Sequence, residues 1–297
     1  MNQKITRRSA CLDIRTRWSS IVDNAIDNGL RKTLRDSAID ALPKGDTFNL
    51  SRPNSSAKVD KGRKIGIDTL ILYLSPAGEA VTSTLCEDSV PACRALCLGH
   101  SAGRMIMTPS KLARLWRTAL WLGDREAFIR LLIMDLESLA LSAKKRGHVT
   151  AFRFNGSTDI EVPDVIRSTC ERLGVNGYGY TKSLARAMAS VGTRYPLTFS
   201  FSGNVDRALV ARDHGANVAM VFDTAVGQEL PDAIVLGHEP VGVIDGDISD
   251  ARFLDPKDAD GRGLIVGLRF KKAKAIDKGL KQAIRSGWVV EADRVAF

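Results

Sequence analysis

The chain has 297 residues, of which 44% are hydrophobic and 26% are charged, and this composition excludes an intrinsically disordered protein. Its length allows one large hydrophobic core or two smaller ones. No apolar run approaches the roughly 20 residues that span a bilayer, and the basic start MNQKITRRSA lacks the apolar core of a signal peptide. We therefore expect a cytoplasmic protein with no membrane partner.

The formal net charge of +9 is concentrated at both ends of the chain. Residues 1–64 carry 14 Lys and Arg against 7 Asp and Glu, and residues 262–297 carry 9 against 3. Basic segments are typical of nucleic-acid-binding proteins, because each neutralised phosphate releases counterions. A charged, solubilising surface is the alternative interpretation. We predict that both basic ends contact nucleic acid.

The N-terminal region is predicted to form a helical segment followed by a linker. Apolar residues recur at helical spacing from Leu12 to Leu34, with a break near Asn28 and Gly29. Residues 42–64 are rich in Pro, Gly, Ser and Asn and show no period, as in a flexible loop. We therefore predict a basic N-terminal segment, residues 1–64, and a second domain, residues 65–297.

Three of the five cysteines, Cys86, Cys93 and Cys97, lie within 12 residues after the apolar run at 68–74. Thiolates bind zinc and iron–sulfur clusters strongly, and one ion can capture three neighbouring thiolates with little further ordering of the chain. Buried cysteines without a ligand are the alternative. Disulfides fit poorly, because three is an odd number and intracellular thiols stay reduced. The cluster predicts a metal site, and His100 would complete a zinc site of Cys3His type.

Two long helices follow the cysteines. Thr108 and Pro109 open a helix that ends at Gly123, and Asp124 caps a second helix that runs to about Arg146 before Gly147. Lys111, Arg114 and Arg117 share one face of the first of these helices, which we interpret as a solvated face.

The rest of the chain alternates short strands with short helices. Together with the run at 68–74, the predicted strands are 149–154, 177–180, 196–200, 217–222, 233–236, 241–244 and 264–269. The predicted helices lie near 162–173, 183–191 and 204–214. This alternation indicates an α/β fold with a mostly parallel sheet. The gaps after Phe222 and Leu236 are too short for crossover helices, so we predict a partial or irregular (β/α) barrel with an added N-terminal helical segment.

Polar residues follow the predicted strands repeatedly, and the carboxyl ends of parallel strands meet at one edge of a sheet. Turns and helix caps favour the same residue types, so each residue alone also has a structural interpretation. Their joint placement predicts a polar pocket beside the cysteines. The predicted catalytic residues are Asp159, Lys182 and Asp245. The predicted cofactor-binding residues are Asn155, Ser157, Thr158, Tyr180, Ser200, Ser202, Asp223 and Asp247.

Six segments in this order resemble a phage protein family: CLxxxAGR at 97–104, FRFNGSTDI at 152–160, YTK at 180–182, SFS at 200–202, VIDGD at 243–247 and IVGLR at 265–269. The chain is similar over residues 65–272 to uncharacterised proteins related to the mycobacteriophage gene-product-88 proteins. This resemblance implies a phage or prophage origin, and hence the host cytoplasm.

The architecture also resembles that of radical S-adenosylmethionine enzymes. In that superfamily, three cysteines after the first barrel strand hold a [4Fe–4S] cluster whose open iron binds S-adenosylmethionine. The resemblance implies that Cys86, Cys93 and Cys97 are cluster ligands, although their spacing of six and then three residues differs from the usual three and then two. The segment from Asn155 to Glu161 takes the place of the second-strand motif that contacts the methionine group.

Two functions are therefore expected. The first is an iron–sulfur enzyme that uses S-adenosylmethionine on a nucleic acid or nucleotide. The second is a zinc-dependent nucleic-acid-binding protein without catalysis.

Overall fold

The computed structural model describes residues 5–53, 57–101, 103–271 and 277–292, with all side chains except those of residues 57, 58, 61, 100, 101 and 277–279. These residues form two compact units. The first unit holds the described residues of Met1–Glu87 and Gly103–Val175, and the second holds those of Asp88–Ala102 and Asn176–Phe297. The division predicted at residue 64 lies inside the first unit and stays a prediction.

The described elements have the following bounds. The helices are α1 (Arg7–Thr16), α2 (Trp18–Asp27), α3 (Arg35–Asp40), α4 (Ala57–Lys64), α5 (Pro91–Ala95), α6 (Leu98–Ser101), α7 (Thr108–Gly123), α8 (Arg125–Arg146), α9 (Asp164–Leu173), α10 (Leu184–Ala189), α11 (Val205–Asp213) and α12 (Asp277–Arg285). Short 3-10 helices lie at Lys32–Leu34, Gly103–Ile106 and Arg252–Leu254. The strands are β1 (Ile67–Ile71), β2 (Val149–Arg153), β3 (Asn176–Gly177), β4 (Gly179–Thr181), β5 (Leu197–Ser200), β6 (Val218–Phe222), β7 (Ala233–Leu236), β8 (Glu239–Asp245), β9 (Ile265–Arg269) and β10 (Val289–Val290).

The N-terminal helices pack inside the first unit. α2 and α3 contact α7, α1 contacts α8, and Trp18, Ile21 and Val22 of α2 are buried. The helix predicted from Leu12 is interrupted earlier than expected, because Arg17 separates α1 from α2 with a non-helical ψ of 6°, whereas the predicted break near Asn28 and Gly29 agrees with the end of α2 at Asp27. The apolar periodicity continues across the break at Arg17, so the sequence pattern does not reveal it.

The predicted linker at 42–64 contains structure as well. Phe48 and Leu50 are buried, and α4 packs on β1 through the buried side chain of Val59. Polar composition concealed α4, because Asp60, Arg63 and Lys64 are exposed and Val59 is the only buried apolar residue among the described side chains of this helix. The prediction of an unstructured 57–64 is therefore wrong.

The predictions for α7 and α8 are confirmed. The Asp124 carboxylate accepts a hydrogen bond of 2.9 Å from the Ala127 amide and so caps α8. Gly147 ends α8 with a left-handed φ of 68°, a conformation that favours glycine. The solvated face predicted for α7 is wrong, because Arg114 is only 1% exposed.

β1 and β2 form the parallel pair of the first unit, with Ile67 opposite Val149 and Ile71 opposite Arg153. The Leu72 amide donates to the Arg153 carbonyl at 2.9 Å, which continues the pairing past the end of β1. Crossover through α7 and α8 permits this parallel arrangement. The carboxyl ends of β1 and β2 therefore lie side by side.

The second unit contains a mainly parallel sheet with the order β4-β5-β6-β9-β8-β7, and β10 also pairs with β6. The β7–β8 pair is antiparallel, with Leu236 opposite Glu239, and the pairs β4–β5, β5–β6, β6–β9 and β8–β9 are parallel. The α/β class with parallel strands is confirmed. The short connection after Leu236 forms a hairpin, as its length required.

The core of the second unit lies between this sheet and its helices. Phe199, Met220, Phe222, Ile234 and Ile265 are each no more than 2% exposed and belong to one apolar cluster. β10 and α12 were not predicted, because a two-residue strand carries almost no pattern of its own. Among the described residues, no helix is long and apolar enough to span a membrane.

A buried carboxylate joins separate parts of the first unit. Asp135 of α8 is 1% exposed and accepts hydrogen bonds from the Arg7 guanidinium at 2.6 Å, the Asn49 side chain at 2.8 Å and the Ser51 amide at 3.1 Å. Three donors from the N-terminal region therefore meet one acceptor from α8.

We predict that Asp135→Ala lowers the free energy of unfolding by about 3–5 kcal/mol, because it leaves buried donors and the Arg7 charge without their acceptor. Urea denaturation followed by circular dichroism measures the loss. Asp13→Ala is the control, because it breaks the exposed Asp13–Arg17 pair and should cost about 1 kcal/mol or less. Equal losses in the two variants would contradict the assignment.

Candidate functional site

The loop after β2 is organised by one of the predicted cofactor-binding residues. The Asn155 side-chain oxygen accepts from the Thr158 hydroxyl at 2.8 Å and from the Ile160 amide at 3.2 Å, and its NH2 group donates to the Ile160 carbonyl at 2.8 Å. Asn155 and Thr158 are both buried. The polar atoms of these two residues therefore fix the loop itself.

This loop lies directly on the extension of β1. The Gly156 amide donates to the Leu72 carbonyl at 2.9 Å, and the Ser157 hydroxyl donates to the Leu74 carbonyl. A Cβ atom on Gly156 would lie 2.5 Å from the Leu72 oxygen and 2.7 Å from a ring carbon of Tyr73. Only glycine allows so close an approach, which explains the Asn-Gly-Ser sequence at this strand end.

Cys86 lies against the same loop. It forms a parallel bridge with Asp159, and the Asp159 amide donates to the Leu85 carbonyl at 2.8 Å. The Cys86 sulfur is 4.0 Å from the Ser157 carbonyl oxygen. The structure therefore brings together Cys86, Ser157 and Asp159, three predicted site residues, at the carboxyl end of the β1–β2 pair.

The other two cysteines of the cluster belong to the second unit. Cys93 lies in α5, and Cys97 follows it just before α6. Between them, Leu96 is buried in an apolar cluster with Phe270 and Val289, so this segment is anchored in the second unit.

The cysteines differ in burial. Cys86, Cys93 and Cys97 are half-buried, whereas Cys11 and Cys170 are each 1% exposed and form part of the core. The interpretation as inert core residues therefore fits Cys11 and Cys170 only. Within the described part of the chain, no three His, Cys, Asp or Glu side chains stand close enough together to hold a metal ion. The side chain of His100 lies outside the described residues.

Lys182 follows β4 and is only 6% exposed. Its ammonium group shares its three hydrogens among four acceptors, which are the Ser200 hydroxyl at 3.1 Å, the Ser200 carbonyl at 3.2 Å, the Phe201 carbonyl at 3.1 Å and the Ser202 hydroxyl at 3.3 Å. The structure thus joins Lys182, Ser200 and Ser202, as their positions after neighbouring strands predicted. Carbonyl oxygens only accept hydrogen bonds, so Lys182 acts in this arrangement as a donor.

Asp245 and Asp247 lie at the carboxyl end of β8 and bind the end of β9. The Arg269 guanidinium donates to Asp245 at 2.8 Å, and the Arg269 amide donates to Asp247 at 3.0 Å. The hydrogen bond from Arg269 lowers the pKa of the Asp245 carboxyl. Asp245 is therefore ionised near neutral pH, which suits an electrostatic role better than proton donation. Lys271 also pairs with Asp247 at 3.3 Å.

The remaining predicted residues lie elsewhere in the second unit. The Asp223 carboxylate accepts from the Ala292 amide at 2.8 Å, and the Asp223 amide donates to the Val290 carbonyl at 3.0 Å, so Asp223 links β6 to β10. It also lines an open depression of about 630 Å³ with Thr224 and Gln228. Tyr180 is half-buried on β4, in register with Thr198 of β5.

Sequence reasoning identified the basic face of α7 but missed that part of it is buried. Arg114 forms a two-pronged ion pair with Glu79, with one bond of 2.8 Å, and also donates to the Met105 carbonyl. Arg117 is half-buried on the same face. A helix that packs on several neighbours buries polar residues too, and α7 contacts α2, α3 and α8. The only sequence signal is the dense apolar composition around these arginines.

The fold and the strand-end clusters define a mixed α/β protein with polar residues gathered at the carboxyl ends of parallel strands. The gene product 88 family model matches residues 48–287, which include every predicted site residue. The chain belongs to the gene product 88 family, which confirms the resemblance to phage proteins. No curated protein and no solved structure matches the chain.

The second unit contains a carboxyl group whose titration should affect stability. Asp255 is mostly buried beside Arg252, at 3.3 Å, and burial raises the pKa of Asp255 to about 6. The folded state therefore binds this proton more tightly than the unfolded state does. The stabilisation is complete below about pH 4 and is lost as the pH rises through 6.

We predict that Asp255 contributes a decrease of about 2–3 kcal/mol in the free energy of unfolding between pH 4 and pH 7. Asp255→Asn should flatten this part of the pH profile, measured by urea denaturation at each pH. Asp206→Asn, which removes an exposed carboxyl of the same unit, is the control. An unchanged profile in Asp255→Asn would show that this proton does not control the stability.

Proposed function

We propose that this member of the gene product 88 family is an iron–sulfur protein that acts on a nucleotide or a nucleic acid. The observation that supports the proposal is the position of Cys86, half-buried against the polar loop of Ser157 and Asp159 at the carboxyl ends of two parallel strands. A reactive centre held at that place would face side chains suited to bind a substrate.

The proposed ligands of a [4Fe–4S] cluster are Cys86, Cys93 and Cys97. All three residues are half-buried, in contrast to the buried Cys11 and Cys170. The three lie within 12 consecutive residues, so the free energy of metal binding can order the connecting chain and bring the thiolates together. An incomplete ligand set in the described residues is compatible with a site that forms only when metal binds.

More specifically, we propose that the chain forms a partial barrel and binds S-adenosylmethionine. A cluster with an open iron supplies one-electron chemistry to that cofactor when both are bound. Lys182, with its amine bonded to Ser200, Phe201 and Ser202, would place its positive charge near an anionic substrate group. The ionised Asp245 would orient Arg269. Asp159 would be a catalytic group beside Cys86. The polar strand-end residues that would complete the cofactor site are Asn155, Ser157, Thr158, Tyr180, Ser200, Ser202, Asp223 and Asp247.

Metal analysis after anaerobic purification tests this proposal. We predict bound iron with acid-labile sulfide, a brown colour, and loss of most of the iron in Cys86→Ala, Cys93→Ala and Cys97→Ala, because the three thiolates share one centre. Cys170→Ala is the matched control, because it removes a buried thiol on α9 and should retain the iron.

The same measurement distinguishes the alternative of a zinc-dependent nucleic-acid-binding protein. Zinc in place of iron, with loss of zinc in His100→Ala, would support that alternative. Full metal retention in any one of the three cysteine variants would remove that residue from the site. Absence of both metals from the folded wild-type protein would contradict both functions.

Nucleic-acid binding is proposed from the basic charge, although part of the N-terminal charge is used internally. Arg7, Arg8, Arg17 and Arg35 form ion pairs of 2.6–2.8 Å with nearby aspartates. Deleting residues 1–64 would also remove the core side chains of α2. Point substitutions of exposed lysines are therefore a cleaner test than deletion.

Exposed lysines gather at the amino ends of β1 and β2. Lys64 ends α4, and Lys144 and Lys145 lie in the last turn of α8. The adjacent strands meet where the Val149 amide donates to the Gly66 carbonyl at 2.8 Å. All three lysine side chains are exposed, so a phosphate backbone can reach each of them.

We predict that the wild-type protein binds duplex DNA with an affinity that falls steeply with salt, with a log–log slope of about −0.9 per phosphate contact. Replacing Lys64, Lys144 and Lys145 by Gln should flatten this slope by up to about 3. A charge-matched variant, in which the exposed Lys32, Lys44 and Lys111 become Gln, should change it less. Fluorescence anisotropy at several salt concentrations measures both, and binding that is indifferent to salt would contradict a polyanion partner.

A further inference from the structure

A buried carboxylate near the amino end of β1 holds two basic side chains of the first unit. Asp68 is fully buried, and its Oδ2 atom accepts hydrogen bonds from Arg146 Nη2 at 2.5 Å and from Arg146 Nε at 3.1 Å. Its Oδ1 atom lies 3.4 Å from His148 Nδ1. The two oxygens of one carboxylate therefore contact two different basic groups, which places the guanidinium of Arg146 and the imidazole of His148 close together.

Arg146 keeps donors that a ligand can use. A guanidinium carries five N–H donors. Two of them bond Asp68, and one on Nη1 bonds the Ser142 hydroxyl at 2.9 Å. Although Asp68 is buried, the Arg146 side chain is 45% exposed. One N–H group on Nη1 and one on Nη2 therefore remain for a partner at the surface.

The imidazole of His148 has one covered side and one open side. Its Nδ1 atom is buried and makes no hydrogen bond within the described part of the chain, so the contact with Asp68 is one of charge. The side chain as a whole is 24% exposed, so solvent reaches the ring from the side that is remote from Nδ1. A carboxylate that faces Nδ1 favours a proton on that nitrogen. The second proton, which makes the ring an imidazolium, is therefore taken up at Nε2.

The charged groups around His148 are mainly basic. Besides Asp68 and Arg146, the charged side chains described at the ends of the elements packed here are Asp60, Arg63 and Lys64 of α4, Lys144 and Lys145 of α8, and Glu171 and Arg172 of α9. Arg63 lies 3.8 Å from Asp60, and Arg172 lies 3.3 Å from Glu137 of α8. Protonation of His148 therefore adds positive charge to a surface that already carries the three exposed lysines.

We propose that Arg146 and His148, positioned by Asp68, bind a phosphate group of nucleic acid, and that His148 binds it in the protonated form. A guanidinium and an imidazolium both donate charge-assisted hydrogen bonds to phosphate oxygens. Histidine is the side chain that ordinarily changes charge between pH 5 and 8, so the affinity for nucleic acid rises as the pH falls through this range. This inference rests on the proposed nucleic-acid binding and adds pH control to it.

Fluorescence anisotropy with a labelled DNA duplex, at about pH 5.5 and pH 8 and at constant ionic strength, tests the proposal. We expect the wild-type protein to bind about tenfold more tightly at the lower pH, because one charge-assisted hydrogen bond to a phosphate is gained. The log–log salt slope should steepen by about 0.9. Calorimetry between these pH values, in two buffers that differ in ionisation enthalpy, should show proton uptake on binding, because the phosphate and the proton favour each other reciprocally.

Two variants of His148 separate its charge from a structural role. His148→Gln cannot gain a proton, so its affinity should be the same at both pH values. His148→Lys carries a positive charge at both, so it should bind at the higher pH about as tightly as the wild type does at the lower, a result that a structural histidine would not give. His238→Gln is the matched control, because it removes an exposed histidine of the second unit and should keep the full pH dependence.

Equal affinities of the wild-type protein at the two pH values would overturn the role of His148, while salt-dependent binding at both would leave the nucleic-acid function standing. A pH dependence that persists in His148→Gln, or disappears in His238→Gln, would overturn it as well. Where circular dichroism shows that His148→Gln is unfolded, His148→Lys decides, and weak binding by this variant at the higher pH contradicts the proposal. Absence of DNA binding at both pH values would reject the nucleic-acid function itself.

Discussion

The buried Asp135 carboxylate is the interaction on which the arrangement of the first unit depends. It accepts hydrogen bonds from Arg7, Asn49 and Ser51. Ser51 also links Asp135 to β1, because its hydroxyl donates to the Ile71 carbonyl at 2.6 Å. Ile71 is the last residue of β1. The buried Asp135 on α8 therefore fixes the carboxyl end of β1. Tyr73, Ser75 and the loop after β2 lie beyond this strand end. A buried carboxylate is stable only when several donors satisfy it, and this requirement ties α1 and the segment of Asn49 and Ser51 to α8.

At the carboxyl end of the β1–β2 pair, some polar residues stabilise the loop, and others are placed by that loop. Asn155 and Thr158 satisfy each other and Ile160, so their polar atoms are used within the loop. Gly156 lets that loop contact the backbone of Leu72. The result is a rigid support on which Cys86 is held by backbone pairing with Asp159. Rigid placement of this kind is what a metal ligand or a catalytic group requires.

The sequence predicts local features well and non-local ones poorly. Asp124 and Gly147 mark the ends of α8 because capping depends on neighbouring residues alone. The grouping of Lys182 with Ser200 and Ser202 also followed from the strand pattern, since neighbouring parallel strands end at the same edge. The break at Arg17, helix α4 and the burial of Arg114 depend on which surfaces pack together, and periodicity does not encode that. The ion pair of Asp245 with Arg269 joins separate strands, so the sequence showed the carboxylate but not its partner.

Buried arginines elsewhere in the chain clarify what is different about Arg117. Arg212, 3% exposed, pairs with Asp258 at 2.9 Å, and Arg252 pairs with Asp255 at 3.3 Å. Arg114 has Glu79. In each case the chain supplies the carboxylate that offsets desolvation of the cation. At Arg117 of α7 the chain supplies an aromatic ring and a second cation. Arg117 therefore differs from these three arginines, because no carboxylate among the described residues is bound to it directly.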